Sequence, residues 1–276
     1  MPKRVLISLA HPDDESFGSG SLIAKLTHEG AEVTYICATN GDVGSAAPEF
    51  LTRYSSIAEM RLAELDCASK LLGFKEVIMF GYRDSGMMGS TENNDPKSLW
   101  QAPLEEVTNR VLDVMRRVRP QVVLTFDPYG GYGHPDHIKI HRATHAAFQA
   151  MLTEPEHPQK LYYTALPRFF FRLSLLGMRL MGKDPRKTGT NADMDMVAVY
   201  EHLLPVHARI DVSRYGEIAM QAAACHASQM PGRDNWVMRL VWRIIFSGAI
   251  LTRAYPEPKP GEPTERDLFQ GIAVNA

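Results

Sequence analysis

Two short stretches concentrate the side chains able to do chemistry: "AHPDDE" (residues 10–15) and "DPYGGYGHPDH" (127–137). Between them His11, Asp14 and His137 supply two imidazoles and one carboxylate, the donor set of a catalytic zinc that keeps one position open for water. Water on such an ion drops from a pKa of about 15.7 toward roughly 7, so hydroxide is available at neutral pH. Asp13 stands beside a ligand and is free to take the proton from that water. His134 is suited to donate to a developing oxyanion or to protonate a leaving nitrogen. Asp136 is suited to hold one of the histidines in a fixed tautomer. Gly130, Gly131 and Gly133 let the second stretch approach an ion closely.

Each stretch also has a plainer explanation. Asp13, Asp14 and Ser16 suit the cap of a following helix, and His134, Asp136 and His137 suit an exposed helix start. A 2-His-1-carboxylate iron oxygenase uses the same donors but leaves Asp13 and His134 unexplained. What favours one joint site is where the two stretches fall along the chain.

"RVLISLA" (4–10), "EVTYICAT" (32–39), "EVIMFGY" (76–82), "QVVLTFD" (121–127) and "KLYYTAL" (160–166) are short apolar runs suited to strands buried on both faces. Helical segments alternate with them: 16–30, ending at Gly30; 55–73, ending at Gly73; 98–120, with basic residues in its last turns and a proline after them; and 136–152. This alternation predicts an α/β fold, a doubly wound, mostly parallel sheet with helices on both faces. In the common strand order 3-2-1-4-5, the first and fourth strands are neighbours where the order reverses, and ligands bind outside their carboxyl ends. "AHPDDE" follows the first strand and "DPYGGYGHPDH" the fourth, so the two would face each other across one crevice.

The expected organisation is a catalytic core over 1–165 and a part over 166–276 that completes the substrate pocket, the whole forming one continuous domain. "PRFFFRLSLLGMRLMGK" (167–183) and "NWVMRLVWRIIFSGAILTRAY" (235–255) read as a C-terminal helical extension of two amphipathic, arginine-spaced helices. Packing on the domain or on a second subunit is favoured for them over a membrane surface. Lys183, Arg186 and Lys187 suit an anionic substrate group or a solvated loop. "YPEPKPGEPTERD" (255–267) reads as an extended surface arm, and His207 as a packing histidine.

Composition sets outer bounds. The chain has 276 residues, 45% hydrophobic and 22% charged, with a formal net charge of -2. These values fit a soluble globular protein and give no case for nucleic acid or an acidic membrane surface, so membrane association is not expected. Three cysteines, Cys37, Cys67 and Cys225, form no metal motif and are expected to be buried free thiols. The basic start and apolar run are too short for a signal peptide, and no stretch is long enough to span a membrane, so a cytoplasmic location is expected.

"AHPDDE" together with "GGYGHPDH" resembles the PIG-L/LmbE superfamily of metal-dependent N-deacetylases. The resemblance extends through Arg61 and Glu64 in "EMRLAEL", through "GYRDSGM" (81–87) and to "HASQ" (226–229), covering most of 4–230. In pattern it is similar to the mycothiol-type glucosaminyl-inositol deacetylase branch. It implies a Rossmann-like core and removal of an acetyl group from an N-acetylglucosamine-type sugar conjugate. The alternatives are an amidase of a larger thiol-sugar conjugate and a non-catalytic sugar-binding protein. The resemblance implies His11, Asp14 and His137 as ligands of zinc, with ferrous iron as the alternative, and Asp13 as general base. It also implies His134 as electrostatic or acid catalyst and Tyr132 as a group that swings toward the oxyanion. Arg61 and Asp84 match sugar-binding positions, Asp42 in "TNGDVG" an acidic contact, and His226 a late residue reaching the site. For Arg61 an ion pair with Glu64 on one helix face competes with that role, and for Asp84 a turn position.

Overall fold

The computed structural model describes residues 2–189, 192–229 and 248–272. Among these, one sheet contains β1 (Arg4–Leu9), β2 (Glu32–Thr39), β3 (Glu76–Tyr82), β4 (Val122–Thr125), β5 (Lys160–Thr164), β6 (Ala208–Asp211) and β7 (Gly248–Tyr255). Its order is β3-β2-β1-β4-β5-β7-β6. The first five strands pair in parallel, so the expected 3-2-1-4-5 order holds and β1 lies beside β4 at the reversal. Their character follows from burial on both faces: Val5, Leu6, Ile7, Val33, Ile36, Val122, Val123 and Leu124 are all fully buried.

The helices are α1 (Asp14–Phe17), α2 (Gly20–His28), α3 (Pro48–Leu51), α4 (Ile57–Leu72), α5 (Leu104–Val118), α6 (Gly130–Gly133), α7 (Pro135–Met151), α8 (Arg168–Leu180), α9 (Met196–His202) and α10 (Gly216–Cys225). Their limits have local causes. The Ser56 side chain accepts from the Glu59 N–H to start α4, and Gly73, at φ 74°, ends it in the left-handed region. The segment expected to be helical from 98 instead starts α5 at Leu104, because Pro103 occupies its N-cap. α7 opens with Pro135 in its first turn and the His134 ring as its cap. That cap sets the direction in which both histidines of the second stretch leave the sheet edge.

The C-terminal part departs from expectation. Residues 248–255 form a strand, not a helix: β7 runs antiparallel between β5 and β6, and residues 235–247 lie outside the described residues. An apolar run with arginines suits a buried strand as well as a helix, and here sheet pairing decides. The proline-rich arm is clamped at its far end. Glu265 is buried, joins Lys160 at 2.6 Å and Arg253 at 2.7 Å, and accepts from the Tyr162 hydroxyl. Leu268 and Phe269 follow it into the core.

Cys67 and Cys225 are joined in a disulfide that ties α4 to α10, which corrects the expectation of free thiols at both. They lie 158 residues apart, a pairing that no local spacing announces. Cys37 is free and buried, as expected. Among the described residues no helix is long and apolar enough to cross a membrane.

Candidate metal centre

The two stretches meet. His11 Nδ1 lies 3.1 Å from His137 Nε2, across 126 residues of sequence. Asp14 reaches both, with Oδ2 3.5 Å from His11 Nδ1 and Oδ1 3.4 Å from His137 Nε2. Hydrogen-bond partners fix which of these atoms carry protons. His137 Nδ1 sits 3.1 Å from the Gly130 carbonyl, which can only accept, so Nδ1 holds the hydrogen and Nε2 presents a lone pair. His11 Nε2 lies 3.2 Å from Asp136 Oδ2, so the same reasoning leaves a lone pair on its Nδ1. Asp14 Oδ2 accepts from the backbone N–H groups of His11 at 2.7 Å and Ala10 at 3.2 Å, which favours the carboxylate form.

Three lone-pair donors therefore face one another, an arrangement that repels unless a cation lies among them. Tetrahedral zinc with bonds of ~2.0–2.2 Å holds its donors roughly 3.3–3.5 Å apart, close to the separations here. Electrostatics agree. Burial would drive the His11 proton off, yet Asp84, Asp136 and Asp14 together hold its pKa well above the usual imidazole value. Burial would likewise favour protonated Asp14, but His137 and His11 keep it well below the usual carboxylate range. The cluster demands positive charge, which a proton on His11 supplies until an ion displaces it.

His134 is close enough to group with His11 and His137, and also with His11, Asp84 and Asp136, as a donor to an ion. Its proton, however, points the other way. His134 Nδ1 accepts from the Asp136 backbone N–H at 3.2 Å as the cap of α7, which leaves the hydrogen on Nε2, 4.0 Å from Asp84 Oδ1. His134 is thus an N–H donor at the edge of the cluster. Burial, with His11 and His137 beside it, lowers its pKa to about 3, so the ring is neutral.

Asp13 is the most exposed carboxylate of the cluster, 18% at its side chain against 12% for Asp14 and 8% for Asp84. Burial raises its pKa to about 6 against the opposing pull of Arg61. The Tyr132 ring lies 5.0 Å from that of His137 and 5.9 Å from that of His134. It is carried on a turn in which Gly131 adopts φ 68°. Gly130, at φ 73°, allows the close approach: a Cβ there would come within 2.9 Å of His137.

Several residues are placed differently from expectation. Arg61 does not open to the crevice; it is buried, its Nη2 meeting Asp13 Oδ2 at 2.9 Å and the Pro12 carbonyl at 2.7 Å. Gly44 makes room for it, since a Cβ there would lie 2.5 Å from Nη1. The competing Arg61–Glu64 pair does not form either, because Glu64 accepts from the Ser228 backbone N–H and hydroxyl, both at 2.8 Å. Asp84 is buried between His11 and His134, and its Oδ1 accepts from Gly86 N–H at 2.8 Å. Asp42 is a strut: Oδ1 accepts from Asp84 N–H at 2.9 Å and Oδ2 from Arg83 Nε at 3.1 Å. His226 is sealed behind the site, its Nε2 2.6 Å from Glu15 Oε1, with both side chains fully buried. Arg186 pairs with Asp195 at 2.7 Å, and His207 accepts from the Arg253 backbone N–H at 3.2 Å, as a packing residue does.

Three supporting residues went unread in the sequence. Ser85 donates to Asp136 from its backbone N–H, at 2.9 Å, and from its hydroxyl, fixing the carboxylate that orients His11. Phe126 stacks on the His137 ring with centroids 3.8 Å apart and planes within 6°. His141 holds the Phe126 carbonyl at 2.7 Å. Ser85 lies in the "GYRDSGM" stretch and Phe126 at the end of the fourth apolar run, but neither position announces its partner.

Comparison with known proteins gives consistent results. The family model described as GlcNAc-PI de-N-acetylase, PIG-L, matches residues 6–148. A 1D-myo-inositol 2-acetamido-2-deoxy-alpha-D-glucopyranoside deacetylase of Streptomyces avermitilis is 34% identical over 291 residues, covering 98% of each chain. One from Thermobifida fusca is 36% identical, covering 97% of this chain and 99% of its own. Among solved structures, N,N'-diacetylchitobiose deacetylase from Pyrococcus horikoshii superposes with a TM-score of 0.57 at 24% identity, over 99% of this chain and 87% of that one. A 4-carboxy-2-hydroxymuconate hydratase from Pseudomonas putida superposes equally well, with a TM-score of 0.58 at 17% identity over 94% and 99%. The structural likenesses speak for the fold alone, since one fold here carries two reaction types.

Proposed function

Since this chain belongs to the PIG-L family of GlcNAc-PI de-N-acetylases, we propose that it is a zinc-dependent amidohydrolase. Its reaction is removal of the acetyl group from an N-acetylglucosaminyl-inositol or a closely related N-acetylated sugar conjugate. The observation that carries the metal is the convergence of His11 Nδ1, His137 Nε2 and the Asp14 carboxylate, 3.1–3.5 Å apart, from two stretches remote in sequence. Ferrous iron accepts the same donors, and availability decides between the two ions as much as affinity. The ion, when bound, supplies Lewis acidity toward the acetyl carbonyl and acidifies a water.

The chain's own residues do the rest. Asp13, held by Arg61 and the most exposed carboxylate of the cluster, takes the proton of the attacking water. His134 keeps its hydrogen on Nε2 because Nδ1 is committed to capping α7, so it donates to the oxyanion as the carbonyl becomes tetrahedral. Tyr132, on its glycine turn, offers a second donor once it moves toward that oxygen. The amine leaves with the proton that Asp13 accepted, because His134, neutral with its one hydrogen on Nε2, is a hydrogen-bond donor and not an acid. Asp136 keeps His11 in the tautomer that the ion requires, and Ser85 keeps Asp136 in place. Arg61 and Asp84 orient these groups, Arg61 through Asp13 and Asp84 between His11 and His134.

The test is primary-amine release from N-acetylglucosaminyl-inositol, N-acetylglucosamine and a bulkier N-acyl sugar conjugate. Zinc-loaded wild type and Asp13→Asn are compared. We expect release from the inositol conjugate, falling by about 10²–10⁴ in the variant while zinc stays bound. Release from the bulkier conjugate alone would reassign the substrate. No release from any of them by zinc-loaded wild type would contradict the hydrolase reading.

A further inference from the structure

Among the described residues, α8 carries an apolar face that nothing covers. Its inward side is narrow: Leu175 is buried, and Phe171 and Met178 are half-buried. A second stripe, Phe169, Leu173, Leu176 and Leu180, follows the i, i+4, i+7, i+11 spacing of one helix face and is 67%, 48%, 53% and 80% exposed. Phe170 and Met181 flank it, also exposed. Isolated exposed apolar residues need no explanation, but a contiguous set of six does.

Charge says what covers this face. Residues 168–187 hold six cations against the single acid Asp184; with Arg186 paired to Asp195 and Arg168 lying over the Tyr200 ring, Arg172, Arg179, Lys183 and Lys187 are the cations that make no ion pair among the described residues. Of these, Arg172 and Arg179 lie inside the helix. A second copy seated symmetrically on this face would set like charge against like charge. An anionic lipid surface satisfies both features, since its headgroup–acyl boundary takes the apolar stripe and its phosphates the cations. Internal packing, favoured on sequence grounds, accounts for Phe171, Leu175 and Met178 but, among the described residues, leaves the outer stripe exposed.

We propose that α8 docks this protein on an anionic lipid surface, the stripe Phe169–Leu173–Leu176–Leu180 entering the bilayer boundary. The placement matters for the site. β5 runs parallel to β4, whose carboxyl end leads into Asp127–His137, and α8 begins four residues after β5 ends. The docking helix therefore departs from the same carboxyl end of the parallel strands that carries the candidate metal centre. This inference stands on exposure and charge, independently of the reaction.

The test is co-sedimentation of the full chain with vesicles of phosphatidylcholine, with and without phosphatidylglycerol, at low and high salt. Wild type is expected to pellet with the anionic vesicles at low salt and to be released by high salt. Leu173→Ser/Leu176→Ser is expected to lower the partition coefficient about tenfold or more. Arg172→Glu/Arg179→Glu, a surface change that keeps the apolar stripe, is expected to lower it comparably and guards against misfolding of the first variant. Wild type remaining in the supernatant with anionic vesicles at low salt would overturn the proposal, as would undiminished binding by the charge variant. A dimer in sedimentation velocity that the Leu173→Ser/Leu176→Ser variant dissolves, without vesicle binding by wild type, would assign the face to a second copy instead.

Discussion

Asp13 and Asp14 are adjacent and chemically identical, yet their surroundings separate their tasks. Asp14 accepts two backbone N–H groups and lies beside His11 and His137, whose positive charge holds its pKa down, an environment that keeps it ionised and suits a ligand. Asp13 meets Arg61 and is partly open, and burial moves its pKa up to about 6, which suits a group that takes and returns a proton. Ser85 supports this arrangement at one remove, through Asp136 to His11. Ser85→Ala is expected to weaken zinc binding about 10–100-fold, read by competition with a chelator, and unchanged zinc affinity would remove Ser85 from the site. The residues that converge in the candidate metal centre were legible because each stretch displays its own histidine and carboxylate. Ser85 and Phe126 were not, because each acts on a partner that only the folded sheet brings near. The hold of Arg61 on Asp13 and Pro12 was not legible, because an arginine on a helix declares its charge but not its target. Gly41 and Gly44, small residues lining its path, were the available hint.

At the scale of elements, the base depends on how α1, α4 and α10 are fastened. Arg61 of α4 grips Pro12 and Asp13; Glu64 of the same helix holds Ser228; the disulfide joins α4 to α10; and Glu15 of α1 meets His226 just beyond α10. Arg61→Lys, which cannot reproduce the two-atom grip on the Pro12 carbonyl, is expected to lower kcat about 10–100-fold with KM little changed. A raised KM at unchanged kcat would restore Arg61 to the role of substrate contact. The Glu15–His226 pair is a stability device. His226→Leu strands a buried carboxylate and is expected to cost about 3–5 kcal/mol in denaturant unfolding. The sign of its pH dependence follows from His226. Burial would lower its pKa, but Glu15 raises it above the ordinary 6.5, so the pair's stabilisation is complete below 6.5 and fades as pH rises through the raised value. The difference between wild type and His226→Leu should therefore shrink above pH 6.5, and a constant difference would contradict a charged pair. The strands and most helices were legible from apolar period and end signals. β7 was not, since an apolar run next to arginines fits either period until its sheet neighbours are known.

For the whole molecule, the parallel sheet does the assembling. Placing β1 beside β4 brings residue 11 within hydrogen-bonding distance of residue 137, and this follows from the strand order that alternating strands and helices predicted. What the sequence could not declare was how the last third closes. Glu265 returns to Lys160 and Arg253, and Cys225 to Cys67, through partners more than a hundred residues away in two of these three contacts. The central claim is that the two remote stretches hold one ion through His11, Asp14 and His137, while His134 remains a hydrogen-bond donor beside it. The most direct measurement is the zinc content per chain of His137→Ala and of His134→Ala after dialysis against a weak chelator. The account predicts that His137→Ala loses its zinc and that His134→Ala keeps about one equivalent while losing amine release. Zinc retained by His137→Ala, or lost from a folded His134→Ala, would contradict it.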